Sequence, residues 1–189
     1  MRYLAWAALT LLLSACATAP HPDVNALPLR VWSHDTPWSL QGRIALKAGE
    51  NSLSGQLQWQ HQPHQDELLL LSPLGQGMAH IVSNAEGVLL EMPKQAPRRA
   101  PDAESLTRDA LGVALPLSGL AYWLQVQPEP SRPFEQSLDD TGRIAQIRQD
   151  GWVIDYLQYM SEPAYRPRKL NIARDGLEIR LVIDEWKTE

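Results

Sequence analysis

Few side chains in this 189-residue sequence are spaced for metal binding. His61 and His64 are three residues apart and lie beside Asp66 and Glu67, a spacing that a metal ion could use. Their surroundings are rich in Gln and Pro, which favours the simpler interpretation of a hydrophilic hairpin loop. The sequence therefore predicts no metal site.

Catalytic constellations are not predicted either. Asp139 and Asp140 are adjacent, so their carboxylates would point apart, which is unsuitable for a shared general acid and base role. The sequence contains no GxSxG, HExxH, P-loop or GxGxxG motif. We therefore expect a protein that is not an enzyme and that needs no cofactor.

The N-terminus carries the clearest chemical signal. Arg2 precedes a nearly unbroken apolar run from Tyr3 to Leu13, which is the layout of a signal peptide. The run is shorter than the roughly 20 residues that a membrane-spanning helix needs. Leu13-Ser14-Ala15-Cys16 resembles the bacterial lipobox, which implies cleavage before Cys16 and acylation of that cysteine.

Cys16 is the only cysteine, which excludes disulfides and CxxC motifs and supports the lipid interpretation. Two or more acyl chains at Cys16 would anchor the protein stably. Ala17 follows where inner-membrane lipoproteins carry Asp, so this sorting rule predicts the periplasmic face of the outer membrane. Loss of residues 1–15 would leave the chain acidic, which argues against nucleic acid as a partner.

Three regions are predicted: a signal peptide at 1–15, a lipidated N-terminus and tether at 16–37, and one β domain at 38–189. The tether is rich in Pro and small residues. From Trp38 onward apolar and polar residues alternate, most regularly between Leu53 and Gln60, which predicts antiparallel strands. Asp150-Gly151 and Asp175-Gly176 each separate two alternating runs and predict hairpins.

The middle of the chain breaks this pattern. Residues 93–101 hold three prolines and predict a loop. Asp102 is a suitable N-cap for a helix that ends at Gly112. A second short helix is predicted after Ser118, with Leu117 packed against Tyr122. Nine to eleven strands with two short helices indicate a mainly β fold, either one curved antiparallel sheet or an open barrel.

Aliphatic side chains occupy one face of nearly every predicted strand, and two short helices form a thin second layer. A filled core and a cavity for an apolar ligand both remain open at this point. A second open question concerns Leu74, which lies at the centre of the turn-like segment Ser72-Pro73-Leu74-Gly75. This leucine either folds back onto the core or projects from the surface.

Several motifs occur in an order that resembles the LolB family, the outer-membrane receptors of the lipoprotein-sorting pathway. They are the lipobox, Trp38-Ser39-Leu40-Gln41-Gly42-Arg43, Leu69-Leu70-Leu71-Ser72-Pro73-Leu74-Gly75, Pro116-Leu117-Ser118-Gly119-Leu120-Ala121-Tyr122-Trp123-Leu124 and Ile183-Asp184-Glu185-Trp186. The sequence departs from the family in one respect, because the segment before the first strand is short and contains a proline.

The resemblance implies an open antiparallel barrel of about eleven strands with short helices covering the open side. It also implies a monomer that accepts the acyl chains of other lipoproteins from the periplasmic carrier LolA and delivers them to the outer-membrane bilayer, without nucleotide hydrolysis. The family's exposed loop corresponds to Pro73, Leu74 and Gly75. A lipocalin-like carrier of a small free lipid and a structural scaffold lipoprotein are the alternative functions.

Strand and helix periodicity suggests which side chains would line such a cavity. The predicted lining residues are Ile44, Leu46, Leu57, Trp59, Leu68, Leu70, Leu120, Trp123 and Ile179.

Overall fold

A computed structural model describes residues 35–161 and 166–188. The predicted signal peptide, Cys16 and almost the whole predicted tether lie outside the described residues. Within the described ranges, neither helix has the length and apolar character that crossing a membrane would require.

The described residues form eleven β-strands and two α-helices. In chain order these are β1 (Trp38–Ala48), β2 (Asn51–Gln62), β3 (Gln65–Leu71), β4 (Gly77–Asn84), β5 (Gly87–Glu91), β6 (Arg98–Ala100), α1 (Ala103–Leu111), α2 (Leu117–Trp123), β7 (Phe134–Leu138), β8 (Ile144–Gln149), β9 (Trp152–Tyr159), β10 (Pro167–Arg174) and β11 (Leu177–Thr188).

All eleven strands belong to one antiparallel sheet in the order β6-β5-β4-β3-β2-β1-β11-β10-β9-β8-β7. The first and last strands therefore pair at the centre, and the two unpaired edges, β6 and β7, are formed by the middle of the chain. Both helices lie in the connection between these edges. The predicted mainly β, open antiparallel architecture is confirmed.

The two Asp-Gly hairpins explain the regular register of the C-terminal half. Asp150 and Gly151 have φ values of 50° and 78°, and Asp175 and Gly176 have values of 48° and 80°. Two consecutive positive φ angles define the type I′ turn, whose twist matches that of the flanking strands. These turns join β8 to β9 and β10 to β11, as the sequence predicts.

One face of the sheet is buried and the other faces solvent. In β1 the residues of one parity, such as Leu40, Ile44 and Leu46, are buried, whereas Gln41 and Arg43 are not. The helices complete a single apolar core on the buried face, which we call the inner face. Burial of this apolar surface is the main stabilising term of the fold.

The structure corrects two sequence predictions in the middle of the chain. Residues 93–101 are not only a loop, because β6 forms within them and pairs with β5. The second helix begins at Leu117 rather than after Ser118, with Pro116 as its N-cap residue and no capping side-chain hydrogen bond. Leu117 is thus inside the helix, not before its cap.

His61 requires a third correction. The residue lies in β2 rather than in a hairpin loop, and its side chain is buried. Its Nδ1 and the indole N–H of Trp59 both lie 2.8 Å from Oδ1 of Asp66. The His61 ring also stacks on Trp38, with ring centroids 5.0 Å apart. His61 is therefore a core residue with a carboxylate partner.

Candidate functional site

All nine predicted cavity residues are buried and belong to the single apolar core. Seven come from strands around the centre of the sheet, and Leu120 and Trp123 come from α2. Each side chain has at most 5% of its surface exposed. The face assignment drawn from strand periodicity therefore agrees with their burial, and whether they contact an acyl chain remains a prediction.

Helix α2 is part of this core. Leu117, Leu120, Ala121 and Trp123 are all buried, so the helix is apolar on most of its circumference. A helix with this pattern is stable only when it is surrounded by other apolar groups. Helix α2 therefore fills space on the inner face of the sheet.

Two buried hydrogen bonds fix the end of α2 to the sheet. The hydroxyl of Tyr156 on β9 donates to the carbonyl of Trp123 over 2.7 Å, and burial raises the pKa of this tyrosine well above its ordinary value. The indole N–H of Trp123 donates to Oε1 of Gln149 on β8 over 3.2 Å. Gln149 also accepts from the N–H of Glu129 and donates to its carbonyl, both over 2.8 Å.

Helix α1 is attached differently. It is amphipathic and buries only Ala103, Leu106 and Thr107. Its N-cap Asp102 accepts from the N–H of Ser105 over 2.7 Å, and this hydrogen bond lowers the pKa of the carboxyl group.

Beyond its core contacts, α1 is joined to the sheet by a partly exposed ion pair. Glu104 and Arg174 of β10 approach to 3.2 Å, and the Arg174 guanidinium stacks over the ring of Trp152. Polar groups at the surface therefore make a larger contribution to holding α1 than to holding α2.

A groove of about 750 Å³ lies mainly on the opposite, outer face of the sheet. It crosses β1, β2, β9, β10 and β11, and its lining includes charged residues such as Arg43, Lys169 and Arg180. Of the nine predicted cavity residues only Ile44 borders it. This groove is therefore distinct from the predicted acyl-chain cavity, whose position is filled by packed side chains in this arrangement.

The inner face is not covered along β7. Phe134 pairs with Gln149 and Leu138 pairs with Ile144, and both partners are buried on the inner face. Directly paired antiparallel residues project from the same face. Phe134 and Leu138 therefore project from the inner face, yet they are 47% and 41% exposed. The inner face is thus open to solvent along this edge, which we call the β7 rim.

A second exposed apolar group is located in the loop between β3 and β4. The N–H of Gly75 donates to the carbonyl of Ser72 over 2.8 Å, and the N–H of Ser72 donates to the carbonyl of Gln76 over 2.7 Å. Pro73 precedes Leu74 and fixes its own φ, and Gly75 adopts a φ of 80°. These bonds and restricted dihedrals give the loop a defined shape.

Leu74 is at the tip of this loop and is 88% exposed, the highest value among the large apolar residues that the structure describes. Its side chain projects into solvent and does not fold back onto the core. An apolar side chain this exposed is unfavourable in water, so its position needs an explanation other than packing.

The other chemically suggestive residues have structural partners. Asp139 accepts from Thr141 and Arg143, and these hydrogen bonds hold the pKa of its carboxyl group well below its usual range. Within residues 35–161 and 166–188, no group of three or more His, Cys, Asp or Glu side chains is arranged for metal binding.

No pattern in the sequence predicts the β7 rim. The strand is five residues long and every residue in it is exposed, so it has no buried face that would produce a clear periodicity. Phe134 is the only phenylalanine of the chain, and an isolated aromatic next to Pro133 was the one available signal.

Solved structures of low sequence identity share this fold. A LolA superfamily protein from Nitrosomonas europaea has this fold, with a TM-score of 0.52 and 10% identity, covering 85% of this chain and 89% of that one. A profile of the outer membrane lipoprotein LolB family matches residues 36–186.

Full-length relatives agree with the profile. The chain is 51% identical to the outer-membrane lipoprotein LolB of Thiobacillus denitrificans over 98% of its own length and 94% of the relative's. It is 37% identical to the LolB of Nitrosococcus oceani over 94% and 92% of the two chains. The chain belongs to the LolB family of outer-membrane lipoproteins.

Membership of this family assigns the chain to lipoprotein localisation at the outer membrane. A lipocalin-like carrier and a structural scaffold are not favoured.

Proposed function

We propose that this protein receives the acyl chains of lipoproteins from the carrier LolA on its inner face and passes them to the outer-membrane bilayer. The observation that carries the proposal is the β7 rim, where the apolar inner face meets solvent at Phe134 and Leu138. An acyl chain could reach the inner face there without crossing a hydrogen-bonded strand pair.

The acyl chains have to be sheltered from water during the transfer, because their exposure would cost too much free energy. Each methylene exposed to water costs about 0.8 kcal/mol, so two or three long acyl chains would cost tens of kcal/mol. A receptor therefore has to offer an apolar surface before the carrier releases its cargo. No nucleotide site is predicted, so the transfer has to run downhill in free energy from carrier to receptor to bilayer.

Acyl chains need space on the inner face, and packed side chains fill that space in this structure. Displacement of the helical cover would make this space, and the incoming methylenes would replace the lost apolar contacts of Leu120, Trp123 and their neighbours. Because one apolar contact replaces another, the net free-energy cost of displacing the helices stays small. The predicted cavity would therefore form as the cargo enters.

Leu74 and Cys16 would act at the membrane. Acylation of Cys16 would hold the protein at the bilayer through the predicted tether of residues 16–37, and Leu74 would insert its side chain among the lipids beside the cargo. Pro73 and Gly75 would keep the loop in its projecting shape.

The loop can be tested with Leu74→Glu and a matched control, Leu157→Glu. Leu157 is 58% exposed but lies on β9 beside the outer groove. We expect Leu74→Glu to leave folding and uptake of a triacylated lipopeptide unchanged and to slow its release into liposomes at least tenfold, because a charged side chain resists insertion into hydrocarbon. Leu157→Glu should change neither step.

Release is measured with a fluorescent lipopeptide and uptake with a LolA-loaded donor. Normal release by Leu74→Glu would contradict the proposed role of the loop. Failure of the unmodified protein to take up the lipopeptide would contradict the receptor proposal itself.

A further inference from the structure

The two edge strands of the sheet differ in how well they are protected against pairing with another chain. The β6 edge is three residues long, carries Arg98 and Arg99, lies between Pro97 and Pro101, and packs beside α1. Short length, positive charge, proline and a covering helix are the usual means by which proteins prevent an edge from pairing with another chain. The β6 edge is therefore guarded.

The β7 edge has little of this protection. Pro133 precedes it, as Pro97 precedes β6, but its five residues, Phe134–Leu138, are all exposed, contain no Lys, Arg or Pro, and form the last strand of the sheet. In an antiparallel strand, every second residue directs its N–H and carbonyl away from its ladder partner. Among the described residues, no further strand pairs with these groups. They can accept an extended peptide.

The position of this edge indicates which peptide it would meet. Phe134 and Leu138 project from the inner face of the same strand, so an acyl chain that enters at the β7 rim passes directly beside the free backbone groups. In a lipoprotein the acyl chains are attached to the N-terminal cysteine. The residues that follow this cysteine therefore have to leave the rim close to β7.

We propose that the free edge of β7 binds the peptide segment directly after the acylated cysteine of the cargo, as an added β-strand. This inference rests on the proposed uptake of acyl chains at the β7 rim. Once the acyl chains are bound, the peptide is held next to the edge at a high effective concentration, so weak pairing suffices. Backbone pairing gives affinity without a sequence requirement, which suits a receptor for many different lipoproteins.

The first test compares two synthetic lipopeptides that carry the same triacylated cysteine and the same short peptide. One has ordinary peptide bonds, and the other is N-methylated at every residue after the cysteine. The protein is the full mature chain with Cys16→Ala, so that its own lipid does not compete. We expect roughly tenfold weaker binding of the N-methylated lipopeptide, which corresponds to the loss of a few backbone hydrogen bonds.

The second test locates the peptide. Cys16 is the only cysteine, so a new cysteine in a Cys16→Ala chain is unique. Ser137→Cys places it on β7, and the matched control Arg99→Cys places it on the β6 edge. With a mild thiol oxidant present at the same concentration in both reactions, a lipopeptide with a second cysteine in its peptide segment should form a disulfide with Ser137→Cys at least tenfold faster than with Arg99→Cys.

The outcomes separate this inference from the proposed function. Equal binding of the two lipopeptides, or equal crosslinking at both edges, would overturn strand addition while leaving acyl uptake intact. If neither lipopeptide binds, both proposals fail. Disulfide-linked protein dimers at Ser137→Cys that the lipopeptide does not suppress would show that a second copy of the chain takes this edge, which also overturns the inference.

Discussion

The two helices that cover the inner face follow one another in the chain but are held by different forces. Helix α2 buries most of its surface and is fixed by hydrogen bonds from Tyr156 and to Gln149. Helix α1 buries one stripe and adds a partly exposed ion pair, Glu104–Arg174. Partly exposed ion pairs contribute little, so α1 should detach from the sheet at a much lower free-energy cost than α2.

This difference suggests an order of events for the opening of the cover. If α1 leaves first, the inner face becomes accessible while α2 still shields the centre of the sheet. Three substitutions test the difference, each through the free energy of unfolding and through amide hydrogen exchange of the two helices.

The largest effect is expected for Trp123→Ala. The substitution removes a buried indole that contacts Trp152, with ring centroids 5.6 Å apart, and should reduce the free energy of unfolding by about 3–5 kcal/mol. Chemical denaturation measures this loss. Ser118→Ala is the control on the same helix, since Ser118 is exposed and does not cap α2, so its effect should be near zero. Equal effects of both substitutions would contradict the core position of α2.

A smaller effect is expected for Tyr156→Phe. The change deletes the hydroxyl that donates to the Trp123 carbonyl, which keeps its hydrogen bond from the N–H of Val126, so the loss should be about 0.5–1.5 kcal/mol. Amide exchange in α2 should accelerate while exchange in α1 changes little.

Tyr159→Phe provides the matched control, because the Tyr159 hydroxyl donates to the Ile144 carbonyl and not to a helix. Acceleration of α2 exchange by both substitutions would show that the hydrogen bond from Tyr156 has no special role in holding α2.

The smallest effect is expected for Glu104→Gln. Loss of a partly exposed ion pair should reduce the free energy of unfolding by about 0.5 kcal/mol or less, and local exchange in α1 should rise about twofold. Glu178→Gln, which breaks the Arg180 pair on β11, should leave α1 exchange unchanged. A loss as large as that of Tyr156→Phe would mean that α1 and α2 are held equally firmly.

The sequence predicts those parts of the fold that leave a local pattern of alternating burial, turns or helix caps. Strands with one buried face produce alternation, as in β1 and β2, so the sequence predicts them closely. Asp-Gly turns fix the register of β8 with β9 and of β10 with β11. Asp102 and Gly112 cap α1 at the predicted positions. Elements without a buried face leave no such pattern, which is why β6 and β7 were missed.

The candidate site was predictable only in part, for a related reason. Burial of residues such as Leu57 and Ile179 follows from strand parity. The exposure of Phe134 does not, because it depends on which strands remain unpaired at the edges, a property of the whole sheet. Likewise, the surroundings of His61 predict a loop, because its burial depends on the pairing of β2 with β3, which brings the Asp66 carboxylate to its ring.

The pairing of the first strand with the last has a consequence for biosynthesis. Arg43 on β1 contacts Asp184 on β11 across 141 residues of sequence, so the centre of the sheet cannot form until β11 is available. Contacts between such distant residues make folding slow. A chain that is threaded through a translocation channel N-terminus first would consequently be unable to complete the centre of its sheet until β11 has crossed.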